Sequence, residues 1–578
     1  MIRERIAEIP RPAGNSGPFF AAEWPHHLLL ILVSGFIAFY KLSFGDLWTH
    51  LAQGRYILEH RTVPSTDVFS YTYFGKPWAN WEWLHNLMTA LCWEHLGPNG
   101  LILFRMLILC GIAVATYHLL RRILPAPLGA LALTGLSLVL LQQRVADRPH
   151  FFSYLCLALL LLFLSRPRNA WRGPLIAAFV LLIVWRNSHP SWVLGLALLA
   201  TGYGDTLLSS KDGSSRPSWR LPLLLSVAAI AIFLLTPIPI DLSAYLSLQS
   251  GEADLPEWRS LFFLGPALLS GYYILFFLFS AGLIAAAAIR FRECPCYTLL
   301  AVAVLANAYW HFRFIPEAVL LGMPLIAAAL TRSPLPTPSP RRAVLWAILL
   351  CTLTAFAAEH FRDDFNRKRG LGIDDTMVPL HAADFMREHS LGGNVYGHYW
   401  ISMDFLMGYL YPAVKVAVDI RVPGLYPYEF ARRFWGIESL NAFRAEVAPL
   451  PVDLILLGHQ ETRTAGHMDR DLEKMLLDEG AELVYFDRSS ALFRTPRMAD
   501  RALRPFTVLT RWNTDASALE RIAGDPALFA RTVEELRMLK ERTTGRDDFY
   551  REVLQGFYAK APLGEEQRHA LEELYGER

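Results

Sequence analysis

The stretch GDLWTHLAQGRY, residues 45–56, sets an aspartate, a histidine and an arginine directly after an apolar run, HHLLLILVSGFIAFYKLSF. A carboxylate there can accept a proton, and the basic side chains can hold an anion. Helical spacing puts Asp46, His50 and Gly54 on one stripe and Trp48, Leu51 and Arg55 on another, which predicts an amphipathic helix on the membrane surface. Asp46 has two readings, an N-cap that accepts the free N–H groups of the first turn and a catalytic carboxylate. The next segment, VPSTDVFSYTYFGKPWANWEWLHN, holds four aromatics between Phe69 and Phe74, then Trp78, Trp81 and Trp83, with Lys76 and Glu82 among them. Aromatics at a membrane interface need no function. With a lysine and a glutamate they also suit a cleft for a phosphate-bearing, lipid-linked sugar.

These residues lie in a chain of 578 residues, 53% apolar, with a mean hydropathy of +0.27. Such values point to a polytopic α-helical membrane protein. The net charge of +2 gives no reason to expect a nucleic-acid partner. All six cysteines fall at or before Cys351, and the pair Cys294-Pro-Cys296 is too short to read as a metal site. The N-terminal segment lacks a small-residue cleavage pattern, so residues 27–44 read as a retained span.

Apolar runs of roughly spanning length occur at 27–44, 99–120, 126–142, 150–165, 173–187, 191–208, 220–236, 267–289, 296–310, 314–331 and 342–358, about eleven spans. The segment 84–97, with His85, Glu94 and His95, reads as a juxtamembrane or half-inserted helix. Placing the N-terminus in the cytoplasm puts Arg121 and Arg122, Arg166 to Arg172, Lys211 to Arg220, Arg290 and Arg292, and Arg332 to Arg342 on the inside. Every inner loop is then basic, as the positive-inside rule asks. The remaining polar residues gather at the outer ends of the spans, where charges line a cavity or pair with one another. They include Arg144, Asp147, Arg148 and His150; Arg186 and His189; Asp241, Glu252, Asp254 and Glu257; and His311 with Arg313.

The expected organisation is a cytoplasmic segment 1–26, a membrane domain 27–358 with an outer loop 45–98, an extracytoplasmic α/β domain 359–496, and a helical appendage 497–578. The α/β expectation rests on strand-like runs GGNVYGHYW, VKVAVDIR, VDLILLG and ELVYFDRSSALFRT, with helices near 376–389, 428–437 and 468–479. In the tail, Asp419 and Arg421 of DIR read as a buried ion pair at a strand end, with acceptor binding as the other reading. No P-loop, GxGxxG, HExxH or GxSxG pattern is present.

The order of span, Asp46-to-Tyr56 helix, Gly75-Lys76-Pro77 and aromatic-Trp-Leu helix resembles the first outer loop of the GT-C glycosyltransferases, such as the protein mannosyltransferases and the aminoarabinose transferases. RVADRPHFF resembles the Arg-Pro-acidic turn after their third span. WRNSHPSWVLG, LPEW, HFRFIP and VKVAVDIRVPGLY are similar to an uncharacterised bacterial branch. Leu47 stands where the mannosyltransferase-type motif has a second acidic residue, and His150 where the turn is usually acidic.

The resemblance implies an inverting hexosyl or pentosyl transferase of a bacterial inner membrane. It would move a sugar from a polyprenyl-phosphate carrier to a lipid, glycan or protein acceptor on the outer face, in the periplasm and cell envelope. Asp46 would be the base or acceptor-orienting carboxylate, and Lys76, Arg144 and Arg148 would hold the donor phosphate. His50, Arg55, Glu82, Asp147, His150, His189, Glu257, His311 and Arg313 are further substrate-binding candidates. Glu252, Asp254 and Glu257 could join Asp46 around a divalent cation, as in the metal-dependent oligosaccharyl branch. No ligand spacing demands this, and the expectation is a reaction without a cofactor. A non-catalytic protein of this fold that binds lipid-linked glycan or scaffolds envelope assembly is the alternative. A transporter or flippase would place its charges near mid-membrane, whereas here they sit at one end.

Overall fold

The apolar runs become helices throughout the described part of the computed structural model. The structure describes residues 23–43, 45–165, 172–209, 259–263, 265, 270–331, 368–422, 424–435, 437, 439–458, 466–498, 503–511, 516–543 and 549–576. The expected spans at 220–236 and 342–358 lie outside these residues, as do Asp241, Glu252, Asp254 and Glu257. In chain order the helices are α1 (Trp24–Ala38), α2 (Leu47–His60), α3 (Trp83–Ile123), α4 (Pro127–Leu141), α5 (Pro149–Leu164), α6 (Arg172–Ser188), α7 (Trp192–Ser209), α8 (Gly271–Arg290), α9 (Pro295–Trp310) and α10 (Ile315–Leu330). There follow α11 (Leu380–Glu388), α12 (Trp400–Tyr409), α13 (Tyr428–Arg432), α14 (Leu440–Glu446), α15 (Gly466–Asp478), α16 (Ala516–Gly524), α17 (Pro526–Thr543), α18 (Phe549–Lys560) and α19 (Glu565–Gly576). Contacts divide the chain into two compact units, Met1–Leu42 with Asn80–Gly372, and Ser43–Ala79 with Ile373–Arg578. The sequence reading keeps loop 45–98 with the membrane domain. Its first part groups instead with the C-terminal half, because α2 finds its packing partners there.

In the first unit a proline stands in the first turn of α1, α4, α5, α9 and α10, where the missing N–H costs nothing. Among the described residues three helices are long and apolar enough to cross a membrane, Trp83–Ile123, Gly271–Arg290 and Phe312–Leu330, and several others are apolar but shorter. Leu28, Ile31, Leu32 and Phe36 on α1, and Ile274, Leu278 and Ile284 on α8, point outward, as a lipid-facing surface requires. The inward faces form one apolar core that includes Leu109, Ile112 and Tyr117 of α3, Leu157 of α5, and Val319 to Leu321 of α10. α3 is two helices joined at Gly97, whose φ of 63° and ψ of −159° break the ladder ahead of Pro98. The helix expected at 84–97 thus ends at Gly97, and the span expected at 99–120 begins beyond it.

In the second unit a five-stranded sheet has the order β2-β1-β3-β5-β4, with β1 Gly393–Gly397, β2 Val414–Val416, β3 Leu454–Gly458, β4 Glu482–Phe486 and β5 Ser490–Arg494. β2, β1 and β3 are parallel, and β5 runs antiparallel to β3 and β4. Every strand falls in a run expected from the sequence. The edge of β2 is covered by the early loop: the Tyr71 amide donates to the Val416 carbonyl (3.0 Å), and the Val416 amide donates to that of Phe69 (3.2 Å). Covering an exposed edge in this way removes a template for aggregation. In the tail, the buried Glu535 carboxylate accepts from the amides of Thr507, Val508 and Leu509, which ties α17 to the chain after β5.

α2 is not a surface helix. Its residues Leu47 to Gly54 are all buried, because it packs along α12, a helix buried from Ile401 to Gly408 that lies between α2 and the sheet. Trp48 meets Phe405 edge to face at 4.7 Å, within the favourable range for such pairs. The two helices touch at Gly408, where an added Cβ would stand 2.3 Å from the Trp48 carbonyl oxygen and 2.7 Å from its carbonyl carbon. Gly408→Ala is expected to force α2 and α12 apart and to destabilise the protein by about 1–3 kcal/mol, seen as a lower unfolding midpoint in detergent. An unchanged midpoint would show that the contact yields freely.

Candidate functional site

Within the first unit the turn between α4 and α5 carries Arg144, Asp147, Arg148 and His150. A single 3-10 turn, Gln142–Arg144, ends α4, and α5 opens at Pro149. Arg105 of α3, 1% exposed, holds this turn from beneath. Its Nε donates to the Ala38 carbonyl (3.0 Å), its Nη2 to the Tyr40 carbonyl and its Nη1 to Asp147. The guanidinium lies 3.5 Å from the centre of the Tyr40 ring, and the Tyr40 hydroxyl donates to the Val145 carbonyl (2.7 Å). Asp147 is therefore the counter-charge of Arg105, a residue hidden from sequence reasoning inside an apolar run.

His150 is buried and donates from Nε2 to the Arg144 carbonyl (3.3 Å). The charges of Arg144, Arg148, His189 and Arg313 all reach its ring, and the His150 and His189 rings lie 6.5 Å apart. His189 is hydrogen-bonded to Ser191 (2.8 Å) and faces Glu82 at 3.9 Å. The structure thus brings together Arg144, Arg148, His150, His189, Glu82 and Arg313 in this unit. His311 meets Phe314 edge to face, their ring centres 6.3 Å apart. Arg144 and Arg313 also act on Glu317 in the first turn of α10, a buried carboxylate the sequence reading passed over because it sits within an apolar run. Trp81 and Trp83 pack locally: Trp81 lies 5.2 Å from the buried Arg186, and Trp83 donates to Asn187 (2.8 Å).

Asp46, His50, Arg55 and Lys76 belong to the second unit. Asp46 opens α2 but its side chain makes no capping bond, so the capping reading falls away. His50 is buried on α2. Arg55 reaches the Gly408 carbonyl at 3.5 Å and the Tyr411 ring at 5.9 Å, and so serves helix packing. Lys76 is exposed on a turn closed by the hydrogen bond its amide donates to the Tyr73 carbonyl (3.0 Å).

Beside Asp46 stands Asp404 of α12, also missed from sequence because no polar neighbour marks it. It is 1% exposed, and one oxygen accepts from Thr49 Oγ1 and from the Ile420 amide, both at 3.1 Å. Burial, reinforced by the charges of Asp419 and Asp46, holds this carboxyl well above the usual carboxylate range. The ion pair expected at DIR is present and has a third member. Arg421 donates from Nη2 to both Asp419 and Asp67 at 2.6 Å, beneath Trp78 at 4.7 Å and Phe69 at 5.1 Å. Among the described residues no group of three or more His, Cys, Asp or Glu side chains could hold a metal ion.

No protein-family model matches the chain, and no curated protein matches it. Solved structures do. The oligosaccharyltransferase AglB of Archaeoglobus fulgidus, in complex with an inhibitory peptide and a dolichol-phosphate, matches at a TM-score of 0.50 and 13% identity, over 94% of this chain and 86% of that one. ArnT of Cupriavidus metallidurans matches at 0.49 in the apo state (14% identity, 82% and 98% covered) and bound to undecaprenyl phosphate (12% identity, 84% and 100% covered). At this identity the likeness to AglB is one of fold, and it agrees with the GT-C resemblance in the sequence.

Two measurements follow from the second unit. Arg421→Met leaves Asp67 and Asp419 buried without their cation and is expected to cost about 3–5 kcal/mol in denaturant unfolding; a cost under about 1 kcal/mol would show the pair to be dispensable. Asp404 binds a proton in the fold that the unfolded chain releases near pH 3.9, so it costs stability as pH rises from there towards its raised folded value. The unfolding temperature of Asp404→Asn relative to wild type is expected to climb between about pH 4 and pH 7, and a constant difference would contradict the protonated state.

Proposed function

We propose that this protein is an integral-membrane glycosyltransferase that moves a sugar from a polyprenyl-phosphate donor to an acceptor on the outer face of a bacterial inner membrane. The observation that carries the reading is the cationic group of Arg144, Arg148 and Arg313 around His150, at the ends of apolar helices. The fold shared with an oligosaccharyltransferase solved with a dolichol-phosphate supports it.

The chemistry matches the charge. In a polyprenyl-phosphate sugar the phosphate is a diester with one negative charge. The acceptor oxygen bonds to C1 from the face opposite the phosphate, the C1–O bond to phosphate breaks with its electron pair, and the acceptor proton passes to a base, the part the sequence gives to Asp46. The leaving polyprenyl phosphate carries one more negative charge than the donor. Guanidiniums placed beforehand therefore stabilise the transition state more than the ground state.

Purified protein incubated with radiolabelled polyprenyl-phosphate sugars and a membrane extract as acceptor source is expected to release polyprenyl phosphate. Asp46→Asn should lower turnover by roughly 10²–10⁴-fold with donor binding retained, and Arg144→Ala should weaken donor binding by about tenfold or more. Wild-type protein that binds donor but never consumes it would favour a non-catalytic glycan-binding role. Wild-type protein that does neither would overturn the reading.

A further inference from the structure

The chain returns at residues 368–372 to the end of α1. There the Lys41 amide donates to the Lys368 carbonyl (2.8 Å), and the Leu42 amide donates to that of Gly372 (2.9 Å). The pairing gathers Lys41, Lys368 and Arg369 at one helix end. Arg369 is fixed: its Nη1 donates to the Phe36 carbonyl (2.6 Å), in the last turn of α1, where carbonyls lack helical partners. Its guanidinium lies 3.6 Å from the centre of the Phe36 ring. The Lys41 stem runs along Gly370, where an added Cβ would stand 3.8 Å from Lys41 Cε. Lys368 is exposed, and Lys41 and Arg369 are half-exposed.

Phe36 is also part of the outward-facing row of α1 with Leu28, Ile31 and Leu32, and Leu371 beside Arg369 is exposed too. The cations therefore adjoin a lipid-facing apolar surface, at the end of α1 that the charge pattern of the loops puts outside. Topology asks for no basic residues at that end. Guanidinium and ammonium groups on apolar stems reach the headgroup level from such a position. A ligand with a phosphate and acyl chains complements both parts of the surface: its phosphate oxygens accept from the cations, and its chains lie on Leu32, Phe36 and Leu371. It arrives sideways from the bilayer and needs no cavity.

We propose that Lys41, Lys368 and Arg369 bind the headgroup phosphate of an anionic glycerophospholipid, of the phosphatidylglycerol type, in the outer leaflet. The inference is independent of the glycosyltransferase reading, since it requires only that α1 lies in a bilayer. The bound lipid joins the end of α1 to the returning segment 368–372 and so stabilises the folded chain by mass action.

The test places the full chain in nanodiscs of phosphatidylcholine with a minor share of phosphatidylglycerol, releases it into detergent and counts retained lipids by native mass spectrometry. Lys41→Gln/Lys368→Gln is expected to keep about one phosphatidylglycerol fewer per chain than wild type. Arg369→Lys, which keeps the charge but loses the fork, should lose part of that lipid. Lys474→Gln, an exposed site on α15, makes a charge change elsewhere and should match wild type. In detergent, added phosphatidylglycerol should raise the unfolding temperature of wild type more than phosphatidylcholine does, and this difference should shrink in the double variant. Equal retention by wild type and the double variant would overturn the inference. Loss of both lipids alike would also overturn it, by showing a disturbed surface instead of a phosphate site. Polyprenyl monophosphate that displaces the retained phosphatidylglycerol at equal concentration would assign the site to the carrier and overturn the lipid class.

Discussion

An ionised guanidinium buried in an apolar helix bundle costs several kcal/mol in lost hydration unless every donor is met. Arg105 is such a group, and its donors go to the carbonyls of Ala38 and Tyr40 and to Asp147. These bonds join the end of α1, the middle of α3 and the turn between α4 and α5. The turn could otherwise move freely at the helix ends. Once fixed, it offers Arg144 and Arg148 at a set place around His150, with Arg313 contributed from the turn before α10. The arrangement of the cationic group follows from the need to compensate one buried arginine.

The second unit handles charge by the same rule with opposite outcomes. Arg421 is buried with two carboxylates that neutralise it and aromatic faces that cover it. Asp404 is buried near two other acids, so the proton is its compensation. Both arrangements depend on the close approach of α2 to α12 or of the 65–79 loop to β2. These contacts place Asp46, Thr49 and Asp67 beside residues more than three hundred positions later in the chain.

Much of this was legible in the sequence. The apolar runs gave helices wherever the chain is described, and all five strands lay in short runs of β-branched and aromatic residues. The basic turn at Arg144 to His150 stood out because it falls at an outer span end, where the positive-inside rule asks for no basic residues. The DIR pair was readable because Asp419 and Arg421 are neighbours. The remainder depended on long-range partners. Arg105, Asp404 and Glu317 are single polar residues within apolar stretches, and no local pattern says what they meet. Helix α12, WISMDFLMGY, is buried on all sides and so shows no helical period. The surface reading of α2 failed for the related reason that its polar stripe faces protein: Thr49 meets Asp404 rather than water.

The central claim is that the group around His150 is the seat of the donor's phosphate. A structure of the protein solved with a polyprenyl monophosphate bound tests it most directly. The account expects the phosphate within hydrogen-bond distance of Arg144, Arg148 or Arg313. A phosphate resolved elsewhere, with those three side chains untouched, would contradict it.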